Sequence, residues 1–235
     1  MKRMLAAVLA CTAAAALTAC SAPEETSNAS ASAQEQTGSL PASAASSGTS
    51  AQPAGDGSIL IAYFTVPETD GVDTVSSASR VATDSGVVGN TQYIAQAIQQ
   101  SVGGDLFAIE TVQEYPGTHD ELLEFAYNEL QDNARPELAA QIENSDDYSV
   151  IFLGYPNWNS DLPMPLYTFL ESYDFSGKTI IPFVTHGGSG FSRTISTIQE
   201  LQPGATVAEN GFSVSRNAVA DAAQDAMDWA ASAIG

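Results

Sequence analysis

Basic residues, cysteines and nucleotide-binding glycine motifs are what this 235-residue chain lacks. Lysine and arginine number 7 against 28 acidic residues, a formal net charge of −21. Two of the basic residues, Lys2 and Arg3, sit at the amino terminus; Arg80, Arg135, Lys178, Arg193 and Arg216 are scattered along the rest. No basic patch can be read from that distribution, which excludes nucleic acid as a partner. The acidity suits solubility outside a cell, docking to basic partner proteins, or resistance to added negative charge at a redox centre. The 2 cysteines are Cys11 and Cys20. Neither lies in the body of the chain, so the body has no disulfide, redox pair, thiolate nucleophile or cysteine zinc site. No Gly-x-x-x-x-Gly-Lys-Ser/Thr segment occurs, and no Gly-x-Gly-x-x-Gly follows a strand-like run. A triphosphate P-loop and a dinucleotide fingerprint are thereby set aside.

The amino terminus carries an address. Lys2 and Arg3 precede an apolar stretch from Met4 to Leu17, which stops at Leu17-Thr18-Ala19-Cys20. A positive start, an apolar middle and small residues before a cleavage point predict a secretory signal over residues 1–19, too short for a stable membrane span. The Leu-Thr-Ala-Cys ending resembles a bacterial lipobox, which implies that Cys20 is lipidated and holds the protein at the cell membrane, on the extracytoplasmic side. From Ser21 to Gly57 the chain is nearly all Ser, Ala, Thr, Gly, Gln, Pro and Glu, with Leu40 the one large apolar residue. Such a composition cannot offset its ordering entropy, so residues 20–57 read as an anchor and disordered tether. As a random coil the tether spans on the order of 30–35 Å. Residues 58–235 remain, a length that suits one domain resting on its own hydrophobic core.

Strand-like and helical patterns alternate through that body. Ser58–Phe64, Asp105–Val112, Tyr148–Leu153, Lys178–Val184 and Ala205–Val214 read as strands. Thr91–Val102, His119–Asn133, Met164–Tyr173, Ser192–Leu201 and Arg216–Ile234 carry helical spacing of apolar residues. Five such units predict an α/β fold, a parallel sheet covered by helices on both faces. The stretch Val66–Val88 does not fit, since it parts the first strand from its helix. Turn signals at Asp84-Ser85-Gly86 let Ser79–Ala82 and Gly86–Val88 pair as a hairpin, and the stretch is expected to form a partly ordered lid over the crevice.

Loops beyond the carboxyl ends of parallel strands converge on one ligand crevice. Three of them carry chemistry here. The first is Thr65 with Gly89-Asn90-Thr91, a hydroxyl and free backbone N–H groups where a helix start favours an anion. Neutral donors without a lysine suit a monophosphate. The second, Gly154-Tyr155-Pro156-Asn157-Trp158, sets two aromatic rings at a strand end, suited to a flat conjugated ligand or else to a hydrophobic plug. The third, Thr185-His186-Gly187-Gly188-Ser189-Gly190, lets backbone approach a ligand closely. It fails as a hydrolase elbow because Phe191 stands where glycine is needed. A phosphate cradle, an aromatic clamp and a glycine-rich wall together describe a site for riboflavin monophosphate, FMN.

Five segments then carry a family resemblance: ILIAYFT at 59–65, VVGNTQYIAQAI at 87–98, NARPEL at 133–138, VIFLGYPNW at 150–158, and the long run LPMPLYTFLESYDFSGKTIIPFVTHGGSGFS at 162–192. With these the body resembles the flavodoxin family, in an exported branch with an insertion in the phosphate loop. The resemblance implies a doubly wound five-stranded parallel sheet of order 2-1-3-4-5 with FMN at its switch point. It places Thr65, Gly89, Asn90 and Thr91 at the phosphate, Tyr155, Pro156, Asn157 and Trp158 beside the ring system, and Thr185, His186, Gly187, Gly188 and Ser189 along the pyrimidine side. Two departures stand out. The insertion splits the phosphate loop, so Thr65 must return in space to Gly89. Asn159 and Ser160 stand where relatives commonly carry a second tryptophan and a small residue. The function so implied is an extracytoplasmic, lipid-tethered electron carrier serving redox partner proteins or small electron acceptors, without a catalytic acid or base. The alternatives are an FMN-dependent NAD(P)H:quinone or small-acceptor oxidoreductase with His186 as proton donor, and a surface binding module that has lost its flavin.

Overall fold

A computed structural model describes residues 58–69 and 80–235. The expected signal, anchor and tether, and the middle of the insertion at 70–79, lie outside the described residues. Strand β1 (Ser58–Tyr63) is followed by β2 (Arg80–Thr83), β3 (Gly86–Gly89) and helix α1 (Asn90–Val102). Then come β4 (Asp105–Ala108), α2 (His119–Gln131), β5 (Tyr148–Pro156), α3 (Met164–Ser172), β6 (Thr179–His186) and α4 (Thr194–Leu201). Two short strands, β7 (Thr206–Val207) and β8 (Phe212–Ser215), precede the closing helix α5 (Ala223–Ile234).

The main sheet is parallel in the order β4-β1-β5-β6, with β7 and β8 both paired to β6. Alternation along the strands sorts the apolar residues onto two faces. Leu60, Ala62, Ile151, Leu153 and Ile180 enter a cluster with Leu122 of α2, Phe169 of α3 and Ile198 of α4. Ile61, Tyr63, Phe152, Ile181 and Phe183 enter a second cluster with Ile94 and Ile98 of α1 and Ala226 and Ala230 of α5. Both faces are thus dry, which is why the strands are apolar runs rather than alternating ones.

The first four positions of the sheet match the expected order; the fifth differs from the single strand expected over Ala205–Val214. The cause is Pro182. Carbonyls of Ile180 and His186 accept from the N–H groups of Ala208 and Arg216, so even-numbered residues of β6 turn their polar groups toward the fifth position. Pro182, one of the two even residues between them, has no N–H to give, and a proline inside a sheet is tolerated where the ladder is interrupted. There the chain leaves the ladder between Val207 and Phe212. At Gly211 a β-carbon would lie 2.3 Å from the Pro182 carbonyl oxygen, so only glycine lets the returning chain pass this close.

The closing helix is also shorter than the spacing suggests. It starts at Ala223 rather than Arg216, after a single 3-10 turn over Val219–Asp221. The insertion ends in an antiparallel hairpin, with Arg80 opposite Gly89 and Thr83 opposite Gly86. Thr83 Oγ1 donates to the Gly86 carbonyl at 2.8 Å, closing the turn. Val81 is buried in the α1 and α5 cluster, so the hairpin packs on that side of the sheet. Among the described residues no helix is long and apolar enough to cross a membrane.

Candidate functional site

The three loops meet at the carboxyl edge of the sheet. Thr65, one residue beyond Phe64, returns to the start of α1: a β-carbon at Gly89 would stand 2.0 Å from Thr65 Oγ1. Glycine is therefore required at 89 by the hydroxyl packed against it, and the two parts of the first loop meet in space despite the insertion. Thr91, on the first turn of α1, shares a 2.9 Å hydrogen bond between its buried hydroxyl and that of Thr185 on β6. Asn157 joins the other pair of loops. Its backbone N–H donates to the Thr185 carbonyl at 2.8 Å, and its Nδ2 donates to the Gly190 carbonyl at 2.7 Å.

Three side chains in this network carry buried polar atoms without a partner among the described residues. Asn90 opens α1 and is 1 % exposed, yet its Nδ2 has no partner among the described residues. Asn157 Oδ1 and Trp158 Nε1 are likewise buried without partners there. Buried polar groups are normally satisfied, so three orphans in one loop cluster mark a place built for another molecule. Trp158, Asn157, Asn159, Ser160, Gly187, Gly188 and Ser189 line a cavity of about 400 Å3, walled on its far side by Leu123 and Ala126 of α2. A second cavity of about 560 Å3 runs past Thr65 to Glu110 and Tyr115. These sizes fall in the range of small-molecule sites.

Tyr155 corrects the expectation of two exposed rings. Strand β5 runs on through Pro156, so Tyr155 continues the alternation of Ile151 and Leu153 and its ring is fully buried in the core. Its hydroxyl donates to Thr194 Oγ1 at 2.9 Å, and burial raises its pKa above the ordinary phenol value. Tyr155 cannot stack on a ligand; it carries the loop from beneath. Pro156 is likewise inside β5, opposite Thr185. Of the two expected rings, Trp158 supplies the aromatic wall. Its ring is held edge-on by Phe64 at 5.4 Å and tilted against Tyr115 at 5.8 Å. Tyr115 is itself fixed by donating to the buried Glu129 carboxylate at 2.7 Å.

The turn beyond Trp158 explains the missing tryptophan. Trp158 and Asp161 bridge as antiparallel partners, while Asn159 and Ser160 have φ of 54° and 64°. Two left-handed residues in succession make a tight primed turn, a conformation asparagine tolerates and bulky residues resist. Asp161 pins that turn from below: its buried carboxylate accepts from the Leu162 N–H at 2.9 Å and from Tyr167 Oη, and pairs with Arg193. The sequence marks Asp161 only as an acid beside the ring loop; its contacts with Arg193 and Tyr167 show that it also sets the loop.

His186 ends β6, with Gly187, Gly188 and Ser189 exposed beyond it. Its Nδ1 accepts the Gly188 N–H at 2.9 Å, which requires the neutral ring with its proton on Nε2. Burial lowers its pKa below the usual histidine value, in the same direction.

Comparison with known proteins bears on this geometry. The described body is similar to a protein from Bacteroides eggerthii described as a flavoprotein, with 26% identity, TM-score 0.52, and coverage of 74% of this chain and 99% of that one. It is similar to a second, from Bacteroides uniformis, with 26% identity, TM-score 0.50, and coverage of 70% and 96%. No curated protein sequence matches the chain. The flavodoxin family model matches residues 79–229. With a parallel sheet, a helix start opposite the first strand and two ligand loops beyond the next strands, the chain belongs to the flavodoxin family.

Proposed function

We propose that this protein is an FMN-binding electron carrier held on the outer side of a cell membrane by a lipid on Cys20. The observation that carries the cofactor reading is the junction of the three loops through Thr65 and Gly89, Thr91 and Thr185, and Asn157, with buried polar atoms left unpaired on Asn90, Asn157 and Trp158. Flavodoxin family membership and the two Bacteroides flavoproteins support the same reading. FMN, when bound, supplies one- and two-electron transfer, and the chain supplies binding and tuning.

Thr65, Asn90, Thr91 and the first N–H groups of α1 hold the phosphate in this reading, where the helix dipole favours negative charge. Trp158 and Asn157 bound the ring system on one side and Gly187, Gly188 and Ser189 on the other. His186 keeps the third loop in shape through its bond to Gly188. Asp161 and Tyr155 carry the second loop without touching the ligand. The same His186 supports a second reading, an FMN-dependent oxidoreductase, because Nε2 retains a proton at the mouth of the site.

The carrier reading predicts that protein loaded with FMN is reduced by dithionite, returns electrons to an added one-electron acceptor such as ferricyanide, and is not bleached by NADH alone. Rapid bleaching by NADH contradicts the carrier and favours the oxidoreductase. For the tether, radiolabelled palmitate incorporated into the full chain and lost in Cys20→Ala supports the anchor; equal labelling of both rules it out.

A further inference from the structure

Four of the five basic residues of the body have ordinary partners. Arg135 pairs with Glu171, and Arg193 with Asp161. Lys178 donates to the carbonyls of Ser145 and Tyr148, and Arg80 to that of Glu68. Arg216 differs. Its Nε and Nη1 are buried and have no hydrogen-bond partner among the described residues, and no described carboxylate pairs with it. A half-buried guanidinium without a counter-charge is costly, and this one has no carboxylate partner among the described residues. Such a group is held for an anion that comes from elsewhere.

Topology says which anion. The Arg216 N–H extends the β8 ladder by one bond, donating to the His186 carbonyl at 2.8 Å. Phe212 and Val214 turn toward the α1 and α5 cluster, and the alternation of β8 carries Arg216 to the same side, one pleat nearer the ligand edge. Val214 is opposite Thr185, whose hydroxyl meets Thr91 on the first turn of α1. Arg216 therefore leaves β8 at the same sheet edge as the Thr185–Thr91 contact. At the start of α1 stands Asn90, 1 % exposed with an unpartnered Nδ2. The preceding residue supplies no side-chain cap, and the Gly89 N–H has only a 3.4 Å contact with Gln92 Oε1. Arg216 and Asn90 thus bring a cation and an amide donor, each with atoms unpartnered among the described residues, to the sheet edge where α1 starts.

We propose that Arg216 is a phosphate-binding residue of this site, reaching the FMN phosphate from the fifth sheet position and selecting the phosphorylated flavin over riboflavin. This rests on the FMN reading above and adds a charged ligand to a cradle otherwise made of neutral donors. A guanidinium and a phosphate oxygen make a charge-assisted hydrogen bond, the kind that neutral donors cannot replace.

The test compares the full chain with its Arg216→Met and Arg216→Lys variants, each titrated with FMN, with riboflavin and with inorganic phosphate. Flavin binding is read by fluorescence quenching and phosphate binding by thermal shift. The Met variant is expected to lose FMN affinity by about tenfold or more while keeping riboflavin affinity within about twofold. It is also expected to lose the thermal shift with phosphate and to melt no lower than the parent without ligand, since an unpaired cation has been removed. The Lys variant keeps the charge but not the planar fork, so its preference for FMN is expected to fall between the other two. An unchanged FMN-to-riboflavin ratio in the Met variant overturns the proposal. If the parent binds neither flavin, a phosphate shift that depends on Arg216 upholds the anion site and removes the flavin reading. If the phosphate shift is also indifferent to Arg216, both fall.

Discussion

Tyr155 and Trp158 are three residues apart and do different work. The Tyr155 ring is sealed in the core with its hydroxyl on Thr194, whereas Trp158 lines the cavity. Tyr155→Phe should therefore cost about 0.5–1.5 kcal/mol of stability, the net contribution of one hydrogen bond, and leave FMN affinity within about twofold. Chemical denaturation and flavin titration of the same preparation check both halves. His186 makes a pH prediction. Its folded pKa lies below the unfolded 6.5, because burial disfavours the charged ring. Between the two values the unfolded chain binds more protons, so stability is intact above pH 6.5 and declines as pH falls below it. Protonating Nδ1 also breaks the bond to Gly188, so flavin affinity should fall in the same window. His186→Asn should flatten both profiles; an unchanged acid limb would assign it to another group. That three loops meet at one edge was legible in sequence because glycines, hydroxyls and strand ends announce loops. Tyr155 was not, since whether a strand stops at Leu153 or runs to Pro156 depends on its pairing with Val184 and Thr185.

At the scale of elements, the second loop depends on a turn and on the acid beneath it. Asn159 and Ser160 occupy left-handed backbone, and Asp161 fastens the turn to Leu162, Tyr167 and Arg193. Asp161→Ala removes the acceptor of all three donors, two of them buried or half-buried, and should destabilise the protein by about 2–3 kcal/mol. Flavin affinity should fall further than in Tyr155→Phe, because the wall that carries Trp158 loosens. Equal effects of the two variants on flavin would show that the turn stands without Asp161. Elements also mark the limits of sequence reading. Ala205–Val214 has strand composition throughout, and its break at Pro182 is visible only once β6 is beside it. Arg216–Ile234 keeps helical spacing, which assigned Arg216 to a helix start. The ladder bond to His186 instead sets Arg216 directly after β8, well ahead of the closing helix.

For the whole molecule, the dominant quantity is charge. In the electron-carrier reading proposed above, a chain of formal net charge −21 takes up electrons, and uncompensated negative charge opposes each added one. Screening should relax that opposition: the midpoint potential of the FMN-loaded protein should rise as salt is increased from about 0.01 to 0.5 M, over which the Debye length falls from about 30 Å to a few ångströms. A potential independent of salt would mean that local groups alone set it. The fold that holds this charge was readable in outline from five alternating units. The account stands on one claim, that the converged loops bind FMN. Its most direct measurement is titration of flavin-free protein with FMN, followed by fluorescence. The account predicts stoichiometric quenching at one FMN per chain, lost in Gly89→Val, where a β-carbon would strike Thr65. Flavin fluorescence that rises linearly from the first addition, as for free FMN, would contradict it.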